Sequence, residues 1–158
     1  MVAQVIWRDK GWNKIVKLLN KYAKGRTAAI GIQGPEASAD HGGITNVEIG
    51  AVQEFGSKDG KIPERSHFRS TANEQQAHVE KRLITLATTK MFEGRNPESE
   101  LRMLGEEFRG AIINKIKGGI SPPLKNPPAS RGPGPPLWDT GQYINAISVE
   151  VVDLKDKQ

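Results

Sequence analysis

A chain of 158 residues, 36% of them hydrophobic, has the size of one domain with a modest core. It has no cysteine, which excludes disulfides and thiolate chemistry, and its three scattered histidines leave little for a metal site. A net charge of +5 is below that of a dedicated DNA-packaging protein, and without a membrane-length apolar run or a signal-peptide pattern we expect a soluble protein made in the cytoplasm.

Residues 1–25 are predicted to contain a basic amphipathic helix. Trp12, Ile15, Leu19 and Tyr22 keep helical spacing on one side. The lysines step by four and three and therefore form one stripe, made of Lys10, Lys14, Lys17, Lys21 and Lys24. Such a stripe is typical of a solvated helix face. The alternative is a surface that docks on an acidic partner or on DNA phosphates, without sequence specificity.

Two elements are predicted before residue 56. Residues 26–33 alternate in polarity and indicate a half-buried strand, which a loop rich in Gly, Pro, Ser and Asp follows. Thr45, with Glu48 three positions later, predicts a capping box at the start of a helix over 45–55. Three of its residues share one face, namely Val47, Ala51 and Phe55.

Two long helices are predicted next. Apolar residues keep the helical interval over 67–92. Asn96 then caps a helix over 97–117, with Pro97 in the first helical position and two glycines after its end. Its apolar stripe consists of Leu101, Leu104, Phe108, Ile112 and Ile116.

Residues 118–138 hold seven of the ten prolines and show no periodic pattern. Loops of about 20 residues are uncommon in compact domains and are usually functional or disordered. Proline favours an extended backbone that cannot complete ordinary ladders. The segment is therefore either a disordered linker or an arm that docks on a neighbouring surface.

The C-terminal part is predicted to be a short helix followed by a strand. Asp139 can cap the helix with Gln142 at the third position, while Trp138 and Tyr143 are spaced as a hydrophobic staple. Residues 147–154 alternate as a strand. Asp139 also opens the tripeptide found in aspartic proteases, but those enzymes need two carboxylates that share a proton, so we favour capping.

These elements predict an α+β fold in a single domain over residues 1–158. A small antiparallel or mixed sheet is packed by two long helices, and a long proline-rich extended loop precedes the C-terminal strand. The core comprises residues 26–117 and 139–154, with residues 118–138 as a proline-rich arm and residues 1–25 as a basic helix.

Three stretches of sequence, in this order, resemble one protein family. They are AVQEFG at residues 51–56, IPERSHFRS at residues 62–70 and PLWDTGQ at residues 136–142. The set is similar to the tail-completion, or head–tail joining, proteins of long-tailed bacteriophages, over about residues 26–152. The resemblance implies a small mixed α/β fold that assembles as a ring, usually a hexamer, in the neck of the virion, with no catalytic centre and no cofactor.

The implied partners are further copies of the chain, a connector protein on the portal side, and the tail terminator or tail tube, with non-specific contact to DNA in the channel and none to a membrane. The candidate interface residues are Glu54, Phe55, Arg65, Phe68, Trp138, Pro122, Pro123, Leu124, Pro127, Pro128 and Arg131. Alternatives are the tail terminator ring of the same phage and a basic DNA-associated protein.

Single residues within these stretches have competing interpretations. Phe55 is expected in the core, with Gly56 permitting a turn, or else at a subunit interface. Glu54 is expected to pair with Arg65 or with a neighbouring subunit. His67 stands where the family pattern leads us to expect an aromatic or aliphatic residue, and it is otherwise treated as an ordinary polar side chain.

Overall fold

The structure is a computed structural model, which describes residues 25–40, 42–90, 93–125, 135–137 and 141–153. The predicted basic helix at residues 1–25, with its lysine stripe, lies outside the described residues apart from Gly25. The elements in chain order are β1 (Arg26–Ile32), α1 (Asn46–Phe55), α2 (Phe68–Thr85), α3 (Pro97–Gly118), α4 (Gln142–Asn145) and β2 (Ile147–Asp153). The predicted α+β class is confirmed.

The two strands form an antiparallel sheet in which Arg26 pairs with Asp153 and Ile32 with Ile147. Apolar residues alternate along both strands, so one face of the sheet carries them towards the helices. A two-stranded sheet is marginal in water unless something covers it. Here α3 provides that cover, since it contacts both strands.

The core lies between the sheet and the second half of α3. Ile112, Ile116 and Ile147 are fully buried in it, and Tyr143 and Ile144 of α4 close one end. Near the middle of α3, the helix comes close to the sheet at Gly105. A β-carbon there would lie 2.4 Å from a methyl carbon of Val149, so only glycine allows this approach.

The predicted starts of α1 and α3 are confirmed, and each has the predicted capping residue. The Thr45 side chain accepts from the backbone N–H of Glu48, and the Glu48 carboxylate accepts from the N–H of Thr45 in return. Asn96 caps α3 in the same way, through the N–H of Glu98. Gly119 follows α3 at a positive φ of 88°.

The helix predicted over 67–92 is regular only as far as Thr85 and continues as a π-helical turn at Leu86–Lys90. The hydroxyls of Thr85 and Thr88 donate to the carbonyls four residues earlier, at 2.9 and 2.8 Å. Such bonds compete with the backbone ladder and bend helices. Residues 91 and 92 lie outside the described residues.

The short C-terminal helix starts later than predicted. It begins at Gln142, after Gly141 with a φ of 79°, so Gln142 is the first helical residue and not the third. Gly141 takes the capping position because it can adopt the left-handed backbone conformation. The predicted cap at Asp139 is therefore wrong, while Trp138 lies outside the described residues, so the predicted staple stays a prediction.

Candidate functional site

Residues from two of the resembling stretches, together with Tyr143, form a buried polar cluster, which we call the polar joint and define as Glu54, Arg65, His67 and Tyr143. Glu54 lies in the last turn of α1 and is 5% exposed. Its carboxylate accepts from the backbone N–H groups of His67 at 2.8 Å and Phe68 at 2.9 Å. N–H groups at the start of a helix have no partner within that helix. The carboxylate of Glu54 supplies the missing acceptor, so the last turn of α1 caps α2.

Two further contacts hold the same carboxylate. The N–H of Arg69 donates to it at 2.9 Å, and the hydroxyl of Ser66 donates at 2.7 Å. Burial raises the pKa of Glu54, but the hydrogen bonds from Arg69, Phe68, Ser66 and His67 outweigh burial and lower the pKa to about 2. The carboxylate is therefore charged at neutral pH and fixes the angle between α1 and α2.

His67 is fully buried, contrary to its interpretation as an ordinary polar residue. Its Nδ1 lies 3.1 Å from the Arg65 carbonyl oxygen, which can only accept, so Nδ1 carries the proton. Its Nε2 then accepts from the hydroxyl of Tyr143. Burial lowers the pKa of His67 and raises that of Tyr143, so both side chains are neutral.

Arg65 is 4% exposed and binds the base of the proline-rich arm. Its Nε donates to the carbonyl of Pro122 at 2.6 Å, and a terminal nitrogen donates to the carbonyl of Pro123 at 3.3 Å. A second terminal nitrogen donates to the side chain of Gln53 at 3.1 Å. A guanidinium suits this place because its fork can bind several carbonyls at once.

The predicted ion pair between Glu54 and Arg65 is wrong. Glu54 pairs with Arg69 instead, at 3.1 Å, because its carboxylate is turned towards the start of α2. The interface prediction for Glu54 and Arg65 has no support in this geometry either, since both side chains are buried within the chain and make their contacts there. The polar joint is closed to solvent, which favours a structural role.

The most buried residues of helix α1 are polar or small, although Ile49 beside them also packs against the core. The buried residues of α1 are Asn46, Gly50 and Glu54, spaced by four along one side. The amide of Asn46 donates to the carbonyl of Glu36 at 2.7 Å. Gly50 lies against Ile32 and Tyr143, and a β-carbon there would come within 2.3 Å of an Ile32 carbon. Polar and small groups thus face inward.

The opposite side of α1 is apolar and faces solvent. We call it the α1 outer face, which comprises Val47, Ala51 and Phe55, with Val47 46% and Phe55 66% exposed. The prediction that these residues share a face is confirmed, but the interpretation of Phe55 as a core residue is wrong. Its neighbour Glu54 takes the inward direction because the start of α2 needs an acceptor there. The guanidinium of Arg69 lies 4.9 Å from the Phe55 ring centre.

The other predicted interface residues are placed as follows. Phe68 is half-buried and packs against the core. Pro122 and Pro123 are exposed at the base of the arm, and Leu124 is half-buried. The remaining ones, and the lysine stripe, lie outside the described residues, namely Trp138, Pro127, Pro128, Arg131, Lys10, Lys14, Lys17, Lys21 and Lys24.

A second apolar surface is a groove between β1, α2 and α3. It has a volume of about 210 Å³. Most of its lining is apolar, and the lining residues are Thr27, Ala28, Ile30, Val79, Leu83, Leu101, Leu104, Gly105 and Phe108. Several of these residues lie on the apolar stripes predicted for the two long helices. The sequence pattern did not indicate that a groove remains between those stripes and β1.

In the part of the chain that the structure describes, no three His, Asp or Glu side chains come together as a metal site would require. No helix there has an apolar stretch long enough to cross a bilayer. Comparisons of the chain with protein-family models, with curated proteins and with solved structures found no match.

Proposed function

We propose that this chain is a structural subunit that closes into a ring at the neck of a tailed phage particle. The ring joins the tail tube to the head connector and continues the channel through which DNA leaves. The proposal draws on the three sequence stretches that resemble head–tail joining proteins, and on the surface chemistry of the domain. The hexamer number comes from the resemblance alone.

The observation that carries the proposal is the exposed apolar side of α1, with Val47 46% and Phe55 66% exposed while polar and small residues take the most buried positions. A surface helix normally turns its apolar stripe to the core. In α1 the inward side is taken by Asn46, Gly50 and Glu54, and the capping bonds of Glu54 prevent the helix from rotating. The α1 outer face therefore points outward and exposes an aromatic ring. An exposed apolar patch of this kind is typical of a surface that another chain covers.

The ring comes from the family resemblance, and the α1 outer face is a surface that could form its contacts. When the α1 outer face contacts a different surface on the next copy, the contact is heterologous, and repeated heterologous contacts close into rotational symmetry. Aromatic residues and arginine are enriched at the centres of such interfaces. Phe55 with the guanidinium of Arg69 beside it has this composition.

The test is to compare the wild-type chain with Phe55→Asp. Sedimentation velocity over a wide concentration range, with electron microscopy of the largest species, measures assembly. We expect rings from the wild type and a monomer from Phe55→Asp, since a charge at the interface centre is costly to bury. The monomer should retain its unfolding midpoint, because Phe55 is 66% exposed.

Met103→Asp is the matched control, because Met103 is 54% exposed on a different helix. It should assemble as the wild type does. A wild-type chain that stays monomeric at high concentration, or a Phe55→Asp chain that still forms rings, would rule out this assembly surface.

A further inference from the structure

The groove between β1, α2 and α3 lies along a helix that is poorly covered. All 18 residues of α2 belong to the described part of the chain, and Thr71 alone among them is fully buried. Leu83 is 40% exposed at the groove, and Val79 beside it is half-buried. A helix of this length obtains most of its stability from packing of its apolar side. The groove is thus a place where further apolar surface is expected.

We propose that residues 12–24 of the same chain pack into this groove and complete the core. Chain connection supports this choice of occupant. Residue 24 is separated from Arg26, the first residue of β1, by Gly25 alone, and the next two residues, Thr27 and Ala28, line the groove. The C-terminal end of the segment is therefore connected to the chain beside the groove.

The backbone at Gly25 supports a reversal of direction there. Its φ is 59°, in the left-handed region that glycine adopts without strain. A left-handed glycine directly after a helix is the commonest way for a helix to end and the chain to turn back. Residues 12–24 can thus fold back over the helices that pack on β1.

The chemistry of the segment matches that of the groove. At 3.6 residues per helical turn, Trp12, Ile15 and Leu19 fall on one side, and the lysines fall on the opposite side. Thirteen residues make a helix of about 20 Å. Packed in this way, the segment buries its apolar side against Leu83, Leu101 and Phe108 and leaves the whole lysine stripe on the surface.

The absence of cysteine makes a direct test possible. A single cysteine at Leu83→Cys reports on the groove, and one at Ile84→Cys, the next residue along α2, is the matched control, because Ile84 is 63% exposed and does not line the groove. The rate of reaction with a maleimide measures access. We expect Leu83→Cys to react at least tenfold more slowly than Ile84→Cys, at a rate that does not depend on protein concentration.

Substitutions in the segment identify what provides the protection. In the Leu83→Cys background, Ile15→Asn with Leu19→Asn should raise the labelling rate at least tenfold. Lys14→Asn with Lys21→Asn, on the other side, should leave the rate unchanged. Circular dichroism verifies that each variant is folded.

A disulfide measurement changes the apolar side less than asparagine does, because cysteine is itself a small apolar residue. Leu83→Cys combined with Leu19→Cys should form an intramolecular disulfide on mild oxidation, visible as a faster monomer band on a non-reducing gel. Three results would overturn the proposal. Leu83→Cys could react as fast as the control, or its protection could survive the Ile15 and Leu19 substitutions. Oxidation could also give cross-linked dimers in place of the faster monomer band. The same labelling and cross-linking measurements are made in the Phe55→Asp background, in which ring assembly is expected to be absent. Protection of Leu83→Cys that persists there comes from within the chain and not from the ring.

Discussion

Glu54 and Phe55 are neighbours in the last turn of α1, and their side chains point in opposite directions. The carboxylate accepts from five hydrogen-bond donors at the start of α2, while the ring is left in solvent. An uncapped helix start would leave backbone N–H groups buried without partners, which costs more than exposing one ring. This local requirement decides which side of α1 faces outward.

The free energy of unfolding should depend on pH through Glu54. Its pKa is about 2 in the folded chain against an ordinary 4.5. The stabilisation is therefore complete above about pH 4.5 and is lost as the pH falls towards 2, by about 3 kcal/mol in all. Chemical denaturation measured between pH 6 and pH 2 gives the free energy of unfolding at each pH.

Glu54→Gln should remove this pH dependence and lower the free energy of unfolding at pH 7 by about 2–3 kcal/mol, since buried donors then face an amide that can satisfy fewer of them. Glu64→Gln is the control, because the Glu64 side chain is 56% exposed and pairs with Arg69 at the surface. It should change stability by less than about 1 kcal/mol. An unchanged acid profile in Glu54→Gln would contradict the role given to this carboxylate.

At the scale of elements, α3 and the sheet meet at a distance that glycine sets. Gly105 lies under Val149, and a β-carbon there would be 2.4 Å from a Val149 methyl carbon. Val149 is β-branched, which restricts its side-chain rotamers, so it cannot easily move aside. Gly110 lies on the same helix with nothing within 4 Å of the equivalent position. The two glycines therefore make a matched pair.

We predict opposite effects of alanine at these positions. Gly105→Ala should destabilise the chain by about 1–3 kcal/mol, because overpacking outweighs the gain in helix propensity. Gly110→Ala should stabilise it by about 0.5–1 kcal/mol through propensity alone. Thermal or chemical unfolding of the two variants measures this. Equal effects in the two would show that the sheet does not approach α3 at Gly105.

At the scale of the whole molecule, the arm is connected to the polar joint through Arg65. The carbonyls of Pro122 and Pro123 are the acceptors that keep this guanidinium satisfied. A deletion that removes them would leave a buried charge with fewer partners and would destabilise the domain. An experiment on the arm must therefore leave its base in place.

We predict that replacing residues 126–134 by nine glycine and serine residues leaves the unfolding midpoint within a few degrees of the wild type. Under the proposed function, a phage carrying the same change should have a titre of infectious particles at least a hundredfold lower and should leave separate heads and tails, because flexible residues cost more entropy to dock than prolines do. Lys125→Gln, next to the base, is the control and should be neutral. A normal titre from the replaced arm would remove its assembly role.

Capping residues, stop glycines and alternation were enough to predict β1, α1, α3 and β2 from the sequence, because helix caps bond residues close in the chain and alternation follows from the two faces of each strand. Periodicity also grouped Val47, Ala51 and Phe55 on one face. It could not tell which face of α1 is inside, because that depends on the start of α2, twelve or more residues away. The burial of His67 and the binding of the arm by Arg65 were missed for the same reason: their partners, Tyr143 and Pro122, meet them only once the chain is folded.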